Sequence, residues 1–310
     1  MEWYWILLIA LGGTILLLLV VIFGTAFGLA TYLSCPKHYS SEHCQKVDIE
    51  KGLFDLSLLE KWESRDFVLR DGYKIHGDYI PAEDSKGLII FVHGYTWSME
   101  GDLKYVTMTR PLGYDSYIYD VRGHGHNKRV PSTMGHKEAM DLLEIIRAFR
   151  KERGPDAVIG LHGESMGAAT VLEVMKYGEK IDFIIEDSGY STLKTELEFQ
   201  LRNFPPLKAL LPLCSKMLKL FYGYRIEDVN ALEAAKDFHG PLLIMHGAAD
   251  TFVPTFCAEE IEKAHMGRVE RHMFPDCDHT LAAGRLNKEY TEILQSFLKS
   301  LAAEKQDNQQ

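Results

Sequence analysis

The chain has 310 residues, enough for one large domain with an appendage or for two domains. Apolar residues make up 46% and charged residues 25%, near globular averages, which excludes wholesale disorder. With 34 Lys+Arg against 44 Asp+Glu the net charge is −10, so no nucleic-acid partner is expected, and 5 cysteines are too few for a disulfide scaffold.

After Glu2 no charged residue occurs before Lys37. The apolar run over residues 3–33 would make a helix about 46 Å long, whereas about 20 residues cross a hydrocarbon core about 30 Å thick. Trp3, Tyr4, Trp5 and Tyr32 fit interfacial aromatic belts. A cleaved signal peptide fits less well, because no Lys or Arg precedes the run and the run is about twice the usual h-region length. Residues 1–34 therefore read as a single-pass membrane anchor that meets lipid through residues 3–33. Lys37, Lys46 and Lys51 follow the span, which puts the body on the cytoplasmic side, although Glu42, Asp48 and Glu50 interleave with them. Gly24 and Gly28 form a GxxxG through which two such helices could self-associate weakly; small residues scattered by chance account for it equally well.

Residues 35–60 read as a juxtamembrane linker, helical toward its end. Residues 66–70 and 73–80, joined by Asp71-Gly72, predict a β-hairpin. Apolar strands are then expected at 87–92, 116–120, 157–162, 181–186, 241–246 and 269–274. Helices are expected at 99–110, 135–151, 165–177 and 289–303; in the second, Ala139, Leu142, Leu143, Ile146 and Phe149 recur at three and four. Continuous apolar strands alternating with helices predict an α/β fold with a mostly parallel sheet covered on both faces. One domain is expected over 61–304, with 190–240 inserted as a small helical cap and 305–310 as a tail.

The sharpest chemical signal is His162-Gly163-Glu164-Ser165-Met166-Gly167. A serine between two glycines, after a buried strand and before a helix, predicts a tight strained turn that lifts the hydroxyl above the strand end. Gly163 and Gly167 flank it because the turn has no room for more. A serine hydroxyl needs a base, and the base needs an orienting carboxylate. Asp250 and His279 follow the strands at 241–246 and 269–274, at the rim where ligands bind. Asp187 is the rival acid. His162, His246 and His93 read as local packing or wall residues, and Asp276 and Asp278 lie too near His279 in sequence to orient its ring. The backbone N–H groups of Met166 and Tyr95 are the expected oxyanion donors. His124 and His126 have no evident third ligand for a metal, and Cys277 reads as a buried bystander. Cys35 and Cys44 could pair if exported, but nothing in the sequence requires it.

With HGY, DVRGHG, GESMG, HGAADTFVP and DH in this order, the chain resembles the α/β-hydrolase superfamily over about residues 61–304. It is most similar to bacterial membrane-anchored members related to the serine aminopeptidase and prolyl-oligopeptidase-like groups. The resemblance implies a Ser165–Asp250–His279 triad and an oxyanion hole from Tyr95 and Met166. It departs from many lipases in having HGY rather than HGGG, which disfavours tertiary-alcohol esters, and it has Asn127 where relatives often carry Ser. The expected activity is a serine hydrolase that needs no cofactor and acts on a small acyl ester, with an acyl chain lying beneath residues 207–220. A short-peptide substrate, a thioester substrate and a catalytically silent scaffold are the alternatives. Acyl transfer by the same triad also stays open.

Overall fold

The computed structural model of the chain describes residues 3–53, 62–285 and 287–307. Most of the helical end expected for the linker, and the last residues of the expected tail, lie outside these. Helices α1 (Trp3–Ser34) and α2 (Ser41–Glu50) come first, then the short strands β1 (Glu63–Ser64), β2 (Phe67–Val68), β3 (Lys74–Ile75) and β4 (Gly77–Ile80). The expected hairpin is present: β2 pairs antiparallel with β3, and Gly72 turns between them at φ +80°, a left-handed value that glycine adopts freely.

The alternation that follows is β5 (Gly87–Val92), α3 (Leu103–Thr109), β6 (Tyr114–Tyr119), α4 (His136–Arg153), β7 (Ile159–Glu164), α5 (Met166–Glu173) and β8 (Phe183–Asp187). Four helices occupy the stretch before the next strand: α6 (Leu193–Gln200), α7 (Pro205–Lys208), α8 (Leu211–Tyr222) and α9 (Ala231–Asp237). The chain closes with β9 (Leu242–Gly247), α10 (Phe256–Ala264), β10 (Val269–Phe274), α11 (Ala282–Arg285) and α12 (Asn287–Asp307). The sequence pattern did not single out α2 or α10.

Eight strands form one sheet in the order β1-β4-β6-β5-β7-β8-β9-β10. From β6 to β10 all neighbours are parallel, and only β4 and β1 run against their partners. Parallel strands need crossover helices on both faces, so the central strands are apolar on both sides. On one face Leu88, Ile90, Val92, Leu161 and Ile184 pack with Leu142, Ile146 and Phe149 of α4 and with α5. On the other, Ile89, Phe91, Ile118, Ile185 and Met245 pack with Leu103 and Val106 of α3 and Leu294 and Phe297 of α12. The parallel topology sends every β-to-α turn to the same edge, which is where a site can be assembled.

The N-terminal segment is joined to this body. Ala26, Ala30, Leu33 and Ser34 of α1 are buried, whereas the helix is exposed throughout residues 3–24. The carbonyl of Ser34 accepts from Ser132 N at 2.8 Å, and its hydroxyl lies 3.1 Å from that of Tyr224. The stretch expected to be a linker is packed as well: Tyr39 N donates to Thr96 O at 3.0 Å, Ser40 caps α2 by accepting from His43 N, and Cys44 is fully buried. Helix α9 packs on α5 and α10 beside the sheet, while α8 lies along α1, with Phe221 against Phe27 at a ring separation of 4.9 Å and the Tyr222 hydroxyl donating to Thr31 Oγ1 at 2.9 Å.

Candidate active site

Strand β7 ends at Glu164 and α5 begins at Met166, so one residue turns the chain between them. That residue is Ser165, held at φ +56°, ψ −115°, a conformation that costs a side-chain-bearing residue of order 1–3 kcal/mol and persists only when its surroundings enforce it. The surroundings are the two flanking glycines. A Cβ on Gly163 would stand 2.3 Å from Gly167 O, and one on Gly167 would stand 1.8 Å from Val92 O. Ser165 N donates to Asp187 O at 2.8 Å, which fixes the turn to the end of β8.

Asp250 follows β9. Its Oδ1 accepts from Phe252 N and Val253 N, both at 2.8 Å, and this locks the carboxylate orientation. Its Oδ2 accepts from His279 Nδ1 at 2.7 Å, and His279 Nε2 stands 2.9 Å from Ser165 Oγ. With the Nδ1 proton engaged by Asp250, Nε2 is left to accept the Ser165 hydroxyl. The structure thus brings Ser165, Asp250 and His279 into one hydrogen-bonded row at the rim. Burial disfavours charge on Asp250, but hydrogen bonds from His246 and His279 outweigh it and hold the carboxyl well below the ordinary carboxylate range.

The rival residues are engaged elsewhere. Asp187 accepts from Tyr290 at 2.7 Å and lies 3.0 Å from the Tyr105 hydroxyl, and its pKa is raised, chiefly by burial. The ring of His162 lies between Phe91 and Tyr105, and burial depresses its pKa to about 3. His93 Nε2 accepts from Val121 N at 2.9 Å, tying two loops together. Asp278 accepts from the backbone N–H groups of Thr251 and His279, both at 2.8 Å. Of the two histidines considered as metal ligands, the His124 ring nitrogen bonds Arg122 O at 2.9 Å and that of His126 bonds Asp120 at 3.0 Å. Asn127 serves the same turn, accepting from His76 N at 2.8 Å and donating to Asp120 O at 2.5 Å.

His246 does more than pack: its Nε2 reaches Asp250 Oδ2 at 3.2 Å from a fully buried position. A histidine ending a strand, four residues before the acid, was the available sequence signal. Glu164 was visible only as the variable residue of the serine motif. It is buried and paired with Lys104 and the Tyr105 hydroxyl, and although burial opposes its ionisation, Lys104 holds its pKa below the ordinary value.

Met166 is fully buried at the start of α5, where first-turn N–H groups have no intrahelical acceptor. Tyr95 lines the cavity beside Ser165, and its hydroxyl donates to Leu33 O at 2.7 Å. The cavity has a volume of about 630 Å³ and is walled by Tyr95, Trp97, Glu164, His279 and Leu281, with Asp48 and Leu53 from the N-terminal segment. Residues 207–220 are not among its walls, so the expectation of an acyl chain beneath them is not met: α8 packs on α1 instead.

Residues 83–225 match the family model described as serine aminopeptidase, S33. The sequence is 28% identical over 271 residues to the YqkD protein of Bacillus subtilis, covering 86% of this chain and 89% of that one. It is 25% identical over 247 residues to the YfhR protein of Escherichia coli K12, covering 77% and 81%. Among solved structures, an esterase of Pyrococcus furiosus superposes with a TM-score of 0.63 at 22% identity, over 82% of this chain and 93% of that one. The chain has the α/β-hydrolase fold. Acylaminoacyl peptidase of Pyrococcus horikoshii also shares the α/β-hydrolase fold, with a TM-score of 0.58 at 20% identity over 78% of this chain and 42% of that larger one.

Proposed function

We propose that this protein is a membrane-anchored serine hydrolase that cleaves acyl bonds, carboxylic esters foremost. The single observation that carries the reading is the row of 2.9 Å and 2.7 Å contacts from Ser165 through His279 to Asp250. Ser165 Oγ attacks the acyl carbonyl carbon while its proton passes to His279 Nε2. Asp250 holds the ring in the needed tautomer and stabilises the imidazolium. The oxyanion takes hydrogen bonds from the backbone N–H groups of Met166 and Tyr95, each worth about 2.7–4 kcal/mol in the transition state. His279 returns the proton to the leaving group, and an acyl-enzyme remains on Ser165. Water then attacks it, with His279 again as base, and the acid leaves. These steps call on no cofactor.

The fold-level likeness to an esterase over most of both chains supports the ester reading. A peptidase is the second reading, supported by the family description and by 26% identity over 239 residues to a Talaromyces stipitatus protein named probable dipeptidyl-aminopeptidase B, a match that spans 24% of that longer chain. A fluorophosphonate probe tests the common chemistry: wild type should label and Ser165→Ala should not. Absence of wild-type labelling would return the domain to a scaffold. Rates on p-nitrophenyl acyl esters, thioesters and peptidyl amides then separate the substrate classes.

The anchor is α1, whose apolar window has a mean hydropathy of 3.1 and is wholly exposed. Retention rather than signal cleavage is supported by the burial of Ala26, Ala30, Leu33 and Ser34 against the body. The lysines that follow α1 favour the cytoplasmic side. Resistance to carbonate extraction, with protease accessibility in inside-out vesicles, tests both points.

A further inference from the structure

The segment from the end of α6 to the start of α9 is locally basic. Between Glu198 and Glu227 lie Arg202, Lys208, Lys216, Lys219 and Arg225 with no Asp or Glu, in a protein of net charge −10. The same stretch exposes large apolar side chains: Phe204 at 58%, Leu220 at 73% and Phe221 at 55%. Helix α8 is amphipathic. Leu211, Cys214 and Leu218 face the body, while Lys216, Lys219 and Leu220 are exposed.

The position of α8 gives this surface its partner. The apolar, exposed part of α1 ends near Thr25, about 34 Å of helix from Trp3, close to the thickness of a hydrocarbon core of about 30 Å. Phe27 comes next and touches Phe221. The exposed end of α8 therefore meets α1 at the level where acyl chains give way to headgroups, with its lysines beside them. Exposed apolar side chains flanked by lysine and arginine are the composition of a segment lying in the membrane interface. Lys208 is partly neutralised by Glu198 at 3.4 Å, so Lys216, Lys219, Arg202 and Arg225 carry most of the attraction.

We infer that residues 199–226 are a docking surface for the anionic headgroups of the bilayer that α1 spans, with Phe204, Leu220 and Phe221 immersed at the acyl boundary. The inference rests on α1 as a membrane span. Together α1 and this surface would hold the catalytic rim at a set height and tilt above the lipid.

The test uses the full chain carrying Cys35→Ser, since Cys35 is the exposed cysteine among those described. A single cysteine is introduced as Leu220→Cys, or as Glu292→Cys for a water-facing control, and labelled with the fluorophore NBD. The protein is reconstituted into phosphatidylcholine vesicles with or without phosphatidylglycerol. Flotation with the vesicles establishes the span independently. The expected result is blue-shifted emission at position 220, quenched by lipids spin-labelled on the acyl chain. Lys216→Glu with Lys219→Glu should lower that quenching in the phosphatidylglycerol vesicles. Protein that floats while position 220 reports water like position 292 overturns the docking surface and leaves the span intact. A blue shift that the spin-labelled lipids do not quench assigns the patch to a protein partner and also overturns it. Protein that does not float overturns the span on which the inference rests.

Discussion

The hydroxyl of Tyr95 donates to the carbonyl of Leu33 at 2.7 Å, so the last turn of α1 holds the loop that flanks Ser165. A second carbonyl, that of Tyr32, lies 3.3 Å away. Both are end-of-helix acceptors that would otherwise lack intrahelical donors. Helix α1 and the proposed oxyanion loop therefore share one hydrogen-bonded junction.

Tyr95→Phe keeps the ring and the backbone N–H but removes this bond. A hydrogen bond of this kind contributes about 0.5–1.5 kcal/mol net, so kcat should fall roughly 2- to 10-fold with KM little changed. Steady-state rates on a p-nitrophenyl ester read this out directly, and an unchanged kcat would show that the junction does not position the loop.

Truncation should have a sharp threshold. A chain starting at residue 25 retains the buried Ala26, Ala30, Leu33 and Ser34, and should fold and hydrolyse ester in detergent. One starting at residue 35 loses about 2 kcal/mol from Leu33 burial and about 1 kcal/mol for each lost hydrogen bond to Tyr95, Tyr224 and Ser132. Its melting temperature should drop by several degrees or the chain should aggregate. Equal melting temperatures for the two would mean that the α1 end is dispensable.

Asp250→Asn should reduce kcat by about 10³–10⁴-fold, because the amide no longer selects the Nδ1–H tautomer of His279. It should also change the acid response of stability. Asp250 titrates below its ordinary value when folded, so its stabilisation is complete above the unfolded value of about 3.9 and is lost as the pH falls toward the folded one. Wild type should melt above the variant at pH 7, and the gap should shrink below about pH 4. Thermal melts across that range decide it.

Glu186 works in the opposite direction. It is fully buried beside His246, Oε1 has no hydrogen-bond partner, and burial pushes its pKa up to about 8. An acid with a raised folded pKa is neutral in the fold at a pH where it would be charged unfolded. Its contribution is then intact below the unfolded value of about 4.3 and declines as the pH climbs from there toward 8. Glu186→Gln should flatten this decline, gaining a few degrees of melting temperature on wild type at pH 8 relative to pH 5. Parallel melting curves for the two proteins across that interval would refute the assignment.

Much of the site was readable because its constraints are local. The elbow needs a strand, a strained serine and glycines at two flanking positions, and 162–167 spells that out in consecutive residues. Asp250 and His279 each follow an apolar run whose strand character is plain, and the parallel sheet delivers both ends to one edge. His246 was harder to read, since a histidine at a strand end is as often packed as bonded, and only its 3.2 Å approach to Asp250 distinguishes the two. Lys104 and Glu164 lie 60 residues apart, and no sequence spacing announces that they meet.

The N-terminal helix marks the boundary most clearly. Composition alone determined that residues 3–33 form a long apolar helix, because an uncharged run of that length has few other stable forms. It could not say which part of that helix packs on the body, since hydropathy does not distinguish an apolar residue that faces a protein core from one that does not. Only the tertiary structure decided that Ala26, Ala30, Leu33 and Ser34 pack into the body, that α8 lies along α1 rather than over Ser165, and that the cavity takes a wall from α2. These are matters of which surfaces meet, and packing between distant segments sets them.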